Sequence, residues 1–333
     1  MKIVIFTEGG RETGFGHTVR CSALSAALRA RGMDPRILIK GDKSVRSFFD
    51  GAEYEIVNWL CLDRKVLEDI TADADMIIID SYLAKPGFYE YISEKVKLPV
   101  YIDDDNRIAY PRGIVINGSL SAKKLGYVNK AGLKHVLGAE YIMLNRTFHD
   151  VPEKVISRDM RSVMVTFGGS DPCRMTSKTL RFLVENYPHL TKKVIIGRAF
   201  DDVSKIEKEK DSSTQVILFP NVGKMLDIMM EADTAISAGG QTLYELARIG
   251  VPTIAVTIAD NQLSEVETLE KDKILKYAGP CDFPGIWEKV SNCMDEFKEV
   301  SERRNYSKRS RELIDGHGAY RIADLLLREA TCC

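Results

Sequence analysis

The chain has no marked excess of either charge, no long apolar run, and no metal-ligand spacing of cysteines or histidines. Its 47 basic and 48 acidic residues leave a net charge of −1 over 333 residues. That balance argues against DNA, RNA or an acidic membrane surface as a partner. The apolar stretch nearest the start, Ile3-Val4-Ile5-Phe6, is soon interrupted by Glu8, too short for a signal peptide or a membrane span. A cytoplasmic protein without stable membrane insertion is expected. Seven cysteines stand far apart except for Cys332-Cys333, and no C-x-x-C or Cys/His ligand spacing occurs. They read as reduced thiols. The terminal pair lacks a polybasic run, so it reads as an exposed tail and not as a lipid-attachment signal. The five dispersed histidines give a metal site no support. Neither nucleotide fingerprint is present: there is no G-x-G-x-x-G after the first strand, and no Lys-Ser/Thr completes a P-loop. NAD and ATP are discounted, and no cofactor is expected.

What the chain does have is a glycine turn ending in an imidazole. Gly9-Gly10-Arg11-Glu12-Thr13-Gly14-Phe15-Gly16-His17 separates a strand-like run, Lys2 to Thr7, from a helix-like run, Thr18 to Gly32. Strand, turn and helix N-terminus make a polar pocket at the carboxyl edge of a sheet, where N–H groups and the helix dipole favour a phosphate or another anion. His17 would touch whatever binds there.

Short β-branched runs alternate with helical patterns, which predicts an α/β protein with parallel sheets covered on both faces. Strands are expected at Lys2–Thr7, Arg36–Lys40, Met76–Asp80, Val100–Asp103 and Ile114–Asn117, and again at Ser162–Phe167, Lys193–Ile196, Gln215–Phe219, Thr234–Ser237 and Thr253–Thr257. Helices such as Met175–Glu185 and Leu243–Ile249 lie between the later strands. The architecture reads as repeated. The charged, Pro-containing segment His149 to Lys154 marks a linker between about residues 147 and 160, giving an N-terminal domain over 1–150 and a C-terminal one over 160–315. Trp287, Val290, Cys293 and Met294 at helical spacing read as a packing stripe.

Three strand ends in the second half carry small polar turns. In Gly168-Gly169-Ser170-Asp171 the glycines permit close backbone approach, and Asp171 either caps the next helix or reaches a ligand, capping being favoured. Ser237-Ala238-Gly239-Gly240-Gln241-Thr242 is the better phosphate cradle, and Glu245 in its helix either accepts from two ribose hydroxyls or lies on the surface. Asn261 and Gln262 offer amides suited to sugar hydroxyls and acetamido groups. In the first half, Asp80-Ser81-Tyr82 and Asp103-Asp104-Asp105 follow apolar runs, so their carboxylates should lie beside the His17 turn. Arg20, one helical turn after His17, either binds a phosphate or orients a carboxylate. The acid cluster could hold Mg²⁺, but amides and helix ends suffice for a diphosphate, and no metal is expected.

Gly14-Phe15-Gly16-His17 with Arg20, Asp80-Ser81-Tyr82, Ile102-Asp103-Asp104, Phe167 to Pro172, Ser237 to Gly240 with Glu245, and Asp260-Asn261-Gln262 occur here in a telling order. In that order they resemble the pseudaminic-acid pathway UDP-sugar hydrolases and the related spore-coat polysaccharide proteins. The resemblance spans roughly residues 1 to 280. It implies the MurG-like GT-B fold, two Rossmann-like doubly wound domains facing across a cleft, with a last helix (316–333) packing back on the first domain by analogy. It also implies UDP-2,4-diacetamido-2,4,6-trideoxy-β-L-altropyranose as substrate, inverting metal-independent hydrolysis, and His17 as the base. The chain departs from the family at Leu144-Asn145, where Leu-Arg is common, with Arg146 one place later. The leading alternative is a GT-B glycosyltransferase using a UDP-sugar donor, since the same base serves an alcohol as readily as water. A UDP-sugar 2-epimerase and a silent sugar-nucleotide sensor are further rivals.

Overall fold

The computed structural model describes residues 1–49, 51–200 and 203–332, with the side chain of Cys332 excepted. The side chains of the terminal cysteine pair therefore lie outside what is described. The chain divides into two compact units, Met1–Arg146 with the chain from Gly316 onward, and Thr147–Asp315.

The first unit carries seven parallel strands: β1 (Ile3–Gly9), β2 (Arg36–Gly41), β3 (Tyr54–Ile56), β4 (Met76–Asp80), β5 (Leu98–Ile102), β6 (Gly113–Asn117) and β7 (Leu133–Leu137). Helices α1 (Gly16–Arg29), α2 (Arg64–Asp73) and α3 (Pro86–Lys95) connect them. The sheet order is β3-β2-β1-β4-β5-β6-β7. β1 and β4 are buried throughout, as strands covered on both faces must be. Tyr54–Ile56 and Leu133–Leu137, not among the expected strands, are the two sheet edges. Neither carries a run of buried positions, so the continuous apolar signal of the inner strands is missing.

The second unit repeats the arrangement with β8 (Ser162–Thr166), β9 (Thr191–Ile196), β10 (Thr214–Leu218), β11 (Thr234–Ala238), β12 (Thr253–Thr257) and β13 (Lys276–Pro280). Its connecting helices are α4 (Met175–Asn186), α5 (Ser204–Glu209), α6 (Val222–Glu231), α7 (Thr242–Ile249) and α8 (Leu263–Lys271). α9 (Ile286–Lys298) and α10 (Val300–Leu313) follow, and α11 (Gly318–Cys332) belongs to the first unit. The order β10-β9-β8-β11-β12-β13 is the doubly wound order of a Rossmann-like sheet, as in the first unit. Val290 and Met294 of α9 are fully buried in the core, with Trp287 and Cys293 packed against it, as the stripe at helical spacing requires.

The segment 147–160, expected as a linker, is anchored on the second unit. Arg248 Nε donates to Phe148 O at 2.9 Å, and the buried Lys154 Nζ donates to Met229 O at 3.1 Å. These two cations bind carbonyls of buried residues, Phe148 and Met229. In the first unit α11 packs against α1, with Arg31 and Asp324 forming a two-pronged pair at 2.8 and 2.9 Å. Among the described residues, no helix is long and apolar enough to cross a membrane.

Candidate active site

In a doubly wound sheet the crevice for a ligand opens where the strand order reverses, outside the carboxyl ends of the two strands that flank that point. In the first unit those strands are β1 and β4. β1 runs into the glycine turn, which closes on itself through Gly10 N donating to Gly14 O at 2.9 Å, with Gly14 at φ +77°. An L side chain there would be strained, and the turn delivers His17 onto the first turn of α1. β4 ends on Asp80. The two side chains meet, His17 Nδ1 lying 2.7 Å from Asp80 Oδ1.

An ionised carboxylate only accepts, so Nδ1 carries the proton and the Nε2 lone pair is left for other use. Arg20 extends the network. Its Nε donates to Asp80 Oδ2 at 2.7 Å, its Nη2 donates to Asp80 Oδ1, and its Nη1 donates to Asp104 Oδ2 at 2.8 Å. Tyr82 donates its hydroxyl to Asp104 Oδ1 at 2.6 Å and sets its ring edge-on to His17, 4.6 Å between centroids. The polar circuit therefore returns to the imidazole from which it began. Burial alone would raise the Asp80 carboxyl, but Arg20 and then His17 hold it well below the usual carboxylate range. Burial also opposes the Arg20 charge, and Asp80 and Asp104 more than offset it, raising the guanidinium well above its ordinary value. Of Arg20's two readings, the structure gives the orientation of carboxylates.

Glu8, near the end of β1, is a member the sequence reading did not pick out. It is buried, accepts from Tyr82 N at 2.8 Å and from the Ser81 hydroxyl, and places Oε1 3.8 Å from His17 Nε2. Its signal was available: like Asp80 and Asp103, it is an acid closing an apolar strand. With Glu8, Asp80 and Asp104 around it and Arg20 as the cation, the His17 pocket disfavours the anion first expected at this turn. His17 is 7% exposed, yet the groups around its nitrogens are polar. Phe15, expected at the substrate, is buried against Phe48 at 5.4 Å between ring centroids. Gly16 is exposed on the first turn of α1.

The three acids Asp103, Asp104 and Asp105 converge, with one ligand atom from each within 4.8 Å of the others. Most of that donor set is committed. Asp104 is spent on Arg20 and Tyr82, and Asp103 Oδ2 accepts from Asn106 N at 2.9 Å and from the Tyr127 hydroxyl.

In the second unit the strands flanking the reversal are β8 and β11. After β8, Gly168, Gly169 and Ser170 form a half-buried turn, and Asp171 caps α4, accepting from Met175 N at 2.8 Å and Thr176 N at 2.6 Å. After β11, Gly239 and Gly240 lead into α7. A Cβ on Gly239 would lie 2.8 Å from both Gln262 Cβ and Val266 Cγ2, whereas one on Gly240 would meet open space. Gln262, read as a sugar contact, is occupied by the protein itself: its Oε1 accepts from Gly239 N at 3.2 Å and from Ile258 N at 2.9 Å. It clamps the β11 and β12 turns together. One N–H of the expected phosphate cradle is thereby consumed, while those of Gly240 and Thr242 have no acceptor among the described residues. Asn261 is exposed on the single 3₁₀ turn Asp260–Gln262. Glu245, in the first turn of α7, has no polar partner among the described residues, and burial pushes its carboxyl up to about 7.

No family model matches the chain. It is 26% identical over 270 residues to an uncharacterised protein of Methanocaldococcus jannaschii, covering 77% of this chain and 55% of that protein. To the spore coat polysaccharide biosynthesis protein SpsG of Bacillus subtilis it is 23% identical over 335 residues, covering 98% of each. It is also 23% identical over 279 residues to the Helicobacter pylori pseudaminic acid cytidylyltransferase and UDP-2,4-diacetamido-2,4,6-trideoxy-beta-L-altropyranose hydrolase, covering 83% of this chain and 48% of that one. The chain thus spans about half the length of the Methanocaldococcus and Helicobacter relatives. Among solved structures, the MnaA–UDP co-structure from S. aureus aligns with a TM-score of 0.68 at 13% identity, over 100% of this chain and 98% of that one. MurG of Acinetobacter baumannii aligns at 0.66 and 13%, over 98% and 100%. The chain has the two-domain α/β GT-B fold.

Proposed function

We propose that this protein is an enzyme that hydrolyses a UDP-sugar at the anomeric C–O bond, with inversion, in the making of a surface polysaccharide or nonulosonic acid. The substrate class is a UDP-linked diacetamido-trideoxy sugar. One observation carries the reading: the buried His17–Asp80 pair at the strand-order reversal of the first sheet leaves Nε2 as a proton acceptor. The relatives named above support the choice of sugar nucleotide, and the Helicobacter protein's hydrolase activity supports water as the nucleophile.

His17 Nε2 takes a proton from water as the water oxygen bonds to the anomeric carbon. The C–O bond to UDP breaks, and its electron pair goes to the β-phosphate oxygen. Asp80 holds the ring in the required tautomer, and Asp80 and Glu8 together stabilise the imidazolium that forms. In the second unit the N–H groups of Gly240 and Thr242, at the N-terminus of α7, stabilise the departing diphosphate. Glu245 accepts from the ribose hydroxyls. Gly168, Gly169 and Ser170 approach the nucleotide by backbone, and Asn261 offers its amide to the sugar. The reaction written this way needs no metal.

The test is incubation of the purified protein with candidate UDP-sugars and no acceptor, following UDP and the sugar anomer by NMR. Free sugar of inverted configuration is expected. UDP released only after an acceptor alcohol is added points to transfer, a changed C2 centre to epimerisation, and binding without turnover to a sensor; each of these overturns hydrolysis.

A further inference from the structure

Cys173 and Cys281 are 108 residues apart in the chain, yet the fold sets their sulfurs 2.9 Å apart, the Cys281 thiol donating to Cys173 Sγ. Cys173 lies in the turn after β8, between Asp171 at the start of α4 and Arg174, whose backbone is left-handed at φ +53°. Cys281 directly follows β13, and its N–H donates to Thr257 O at the end of β12 at 2.9 Å. Both cysteines are half-buried, with the exposed residues Pro172 and Asp282 beside them, so a small reagent reaches the pair from solvent.

We propose that Cys173 and Cys281 are a modification site: a dithiol that closes into an intrachain disulfide by exchange with a low-molecular-weight disulfide. The inference is independent of the UDP-sugar reading. The sulfurs are within about 1 Å of the ~2.05 Å bond, so closing asks for side-chain rotation and no rearrangement of the sheet. The Cys173 thiolate attacks one sulfur of the incoming disulfide and releases the first small thiol. The Cys281 thiolate then attacks Cys173 Sγ of the mixed disulfide and releases the second. The two cysteines lose two electrons and two protons in all, and one small disulfide is reduced to two thiols.

Burial, and then the neighbouring Cys281 thiol, push the Cys173 thiol up to about 11. The exchange is therefore slow at neutral pH. Once formed, the bond ties the Gly168–Ser170 turn to the ends of β12 and β13. Cys173 Sγ already stands 3.9 Å from Ile258 O, and the Ile258 N–H is held by the Gln262 clamp. The modification thus restrains two of the turns at this sheet edge together.

The experiment treats the reduced full chain with oxidised glutathione at mildly alkaline pH, followed by intact mass and peptide mapping. The expected result is a glutathione adduct on exposed Cys61 and a cross-linked peptide joining Cys173 to Cys281, with the loss of two hydrogens. In Cys281→Ser, Cys173 should retain a glutathione adduct. Oxidation should raise the melting temperature of the wild-type chain, reversibly with dithiothreitol, and leave the Cys173→Ser/Cys281→Ser double variant unchanged. Free thiols at both positions after Cys61 has reacted, or two separate adducts, overturn the proposal. So does a cross-link that lowers or fails to move the melting temperature, because a bond compatible with the native geometry must stabilise it.

Discussion

The His17 imidazole and the Asp80 carboxylate meet at 2.7 Å, with the two side chains only 8% and 0% exposed. The sheet order β3-β2-β1-β4 sets β1 beside β4, so the start of the helix that follows β1 meets the end of β4 at the strand-order reversal. Arg20 also donates to Asp80, so the pair belongs to a buried ionic network and is not an isolated contact.

Asp80 gives the first prediction. Its carboxyl is held below the usual range in the folded protein, so it contributes stability that is present above about pH 4 and is lost as pH falls toward the lower folded value. Asp80→Asn removes that contribution and leaves Arg20 with Asp104 as its carboxylate partner, at a cost of about 3 kcal/mol. Melting temperatures between pH 2 and 7 should show a wild-type acid limb that the variant largely lacks. Parallel curves would refute the charge assignment.

His17→Ala separates chemistry from structure. Arg20 continues to pair with Asp80, so the fold should stand and UDP affinity should hardly change, while turnover of the UDP-sugar falls about 10²-fold or more. Steady-state rates and calorimetry on the same preparation check it. Turnover within a few-fold of wild type would remove His17 as the base.

The two glycines before α7 should behave differently. Gly239→Ala drives a methyl into Gln262 and Val266 and should destabilise the second unit. Gly240→Ala meets open space, so the melting temperature should hold, and UDP affinity should fall about 10-fold, or about 1.4 kcal/mol, if the diphosphate approaches this backbone. Calorimetry showing full affinity in Gly240→Ala would move the phosphate elsewhere.

For Glu245 the sign runs the other way. Burial raises its folded value to about 7, so its contribution to stability is complete below about pH 4 and is lost as pH rises through that value. Glu245→Gln has no such loss. Its melting temperature should gain on wild type between pH 4 and 7 and hold that gain above, while its UDP affinity falls through the weakened ribose contact. A constant melting-temperature difference across that range would show that the carboxyl is not desolvated.

Opening the Gln262 clamp should be felt at both turns it joins. Gln262→Ala leaves the Gly239 and Ile258 N–H groups without their acceptor, at a cost of about 1–3 kcal/mol. Denaturant titration measures it. An unchanged midpoint would mean that water replaces the amide oxygen at no cost.

The sequence by itself determined the inner strands, because a strand covered on both faces must be apolar along its whole length, and β4 and β12 end where the residues said they would. It determined the imidazole at the start of α1 and the cap at Asp171, since both follow from local turn chemistry. Edge strands β3, β7 and β13 were not legible, being short, half-solvated or interrupted by Gly and Pro. Only the tertiary structure decided what the polar residues do. It set Arg20 on two carboxylates, gave Gln262 to the backbone, brought Glu8 to His17, and joined Cys173 to Cys281. Asp80 and Asp104 reach Arg20, and Cys281 reaches Cys173, from strand ends distant along the chain, and a side chain's hydrogen bonds and desolvation depend on which neighbours the fold brings within about 3 Å, a distance no local pattern encodes.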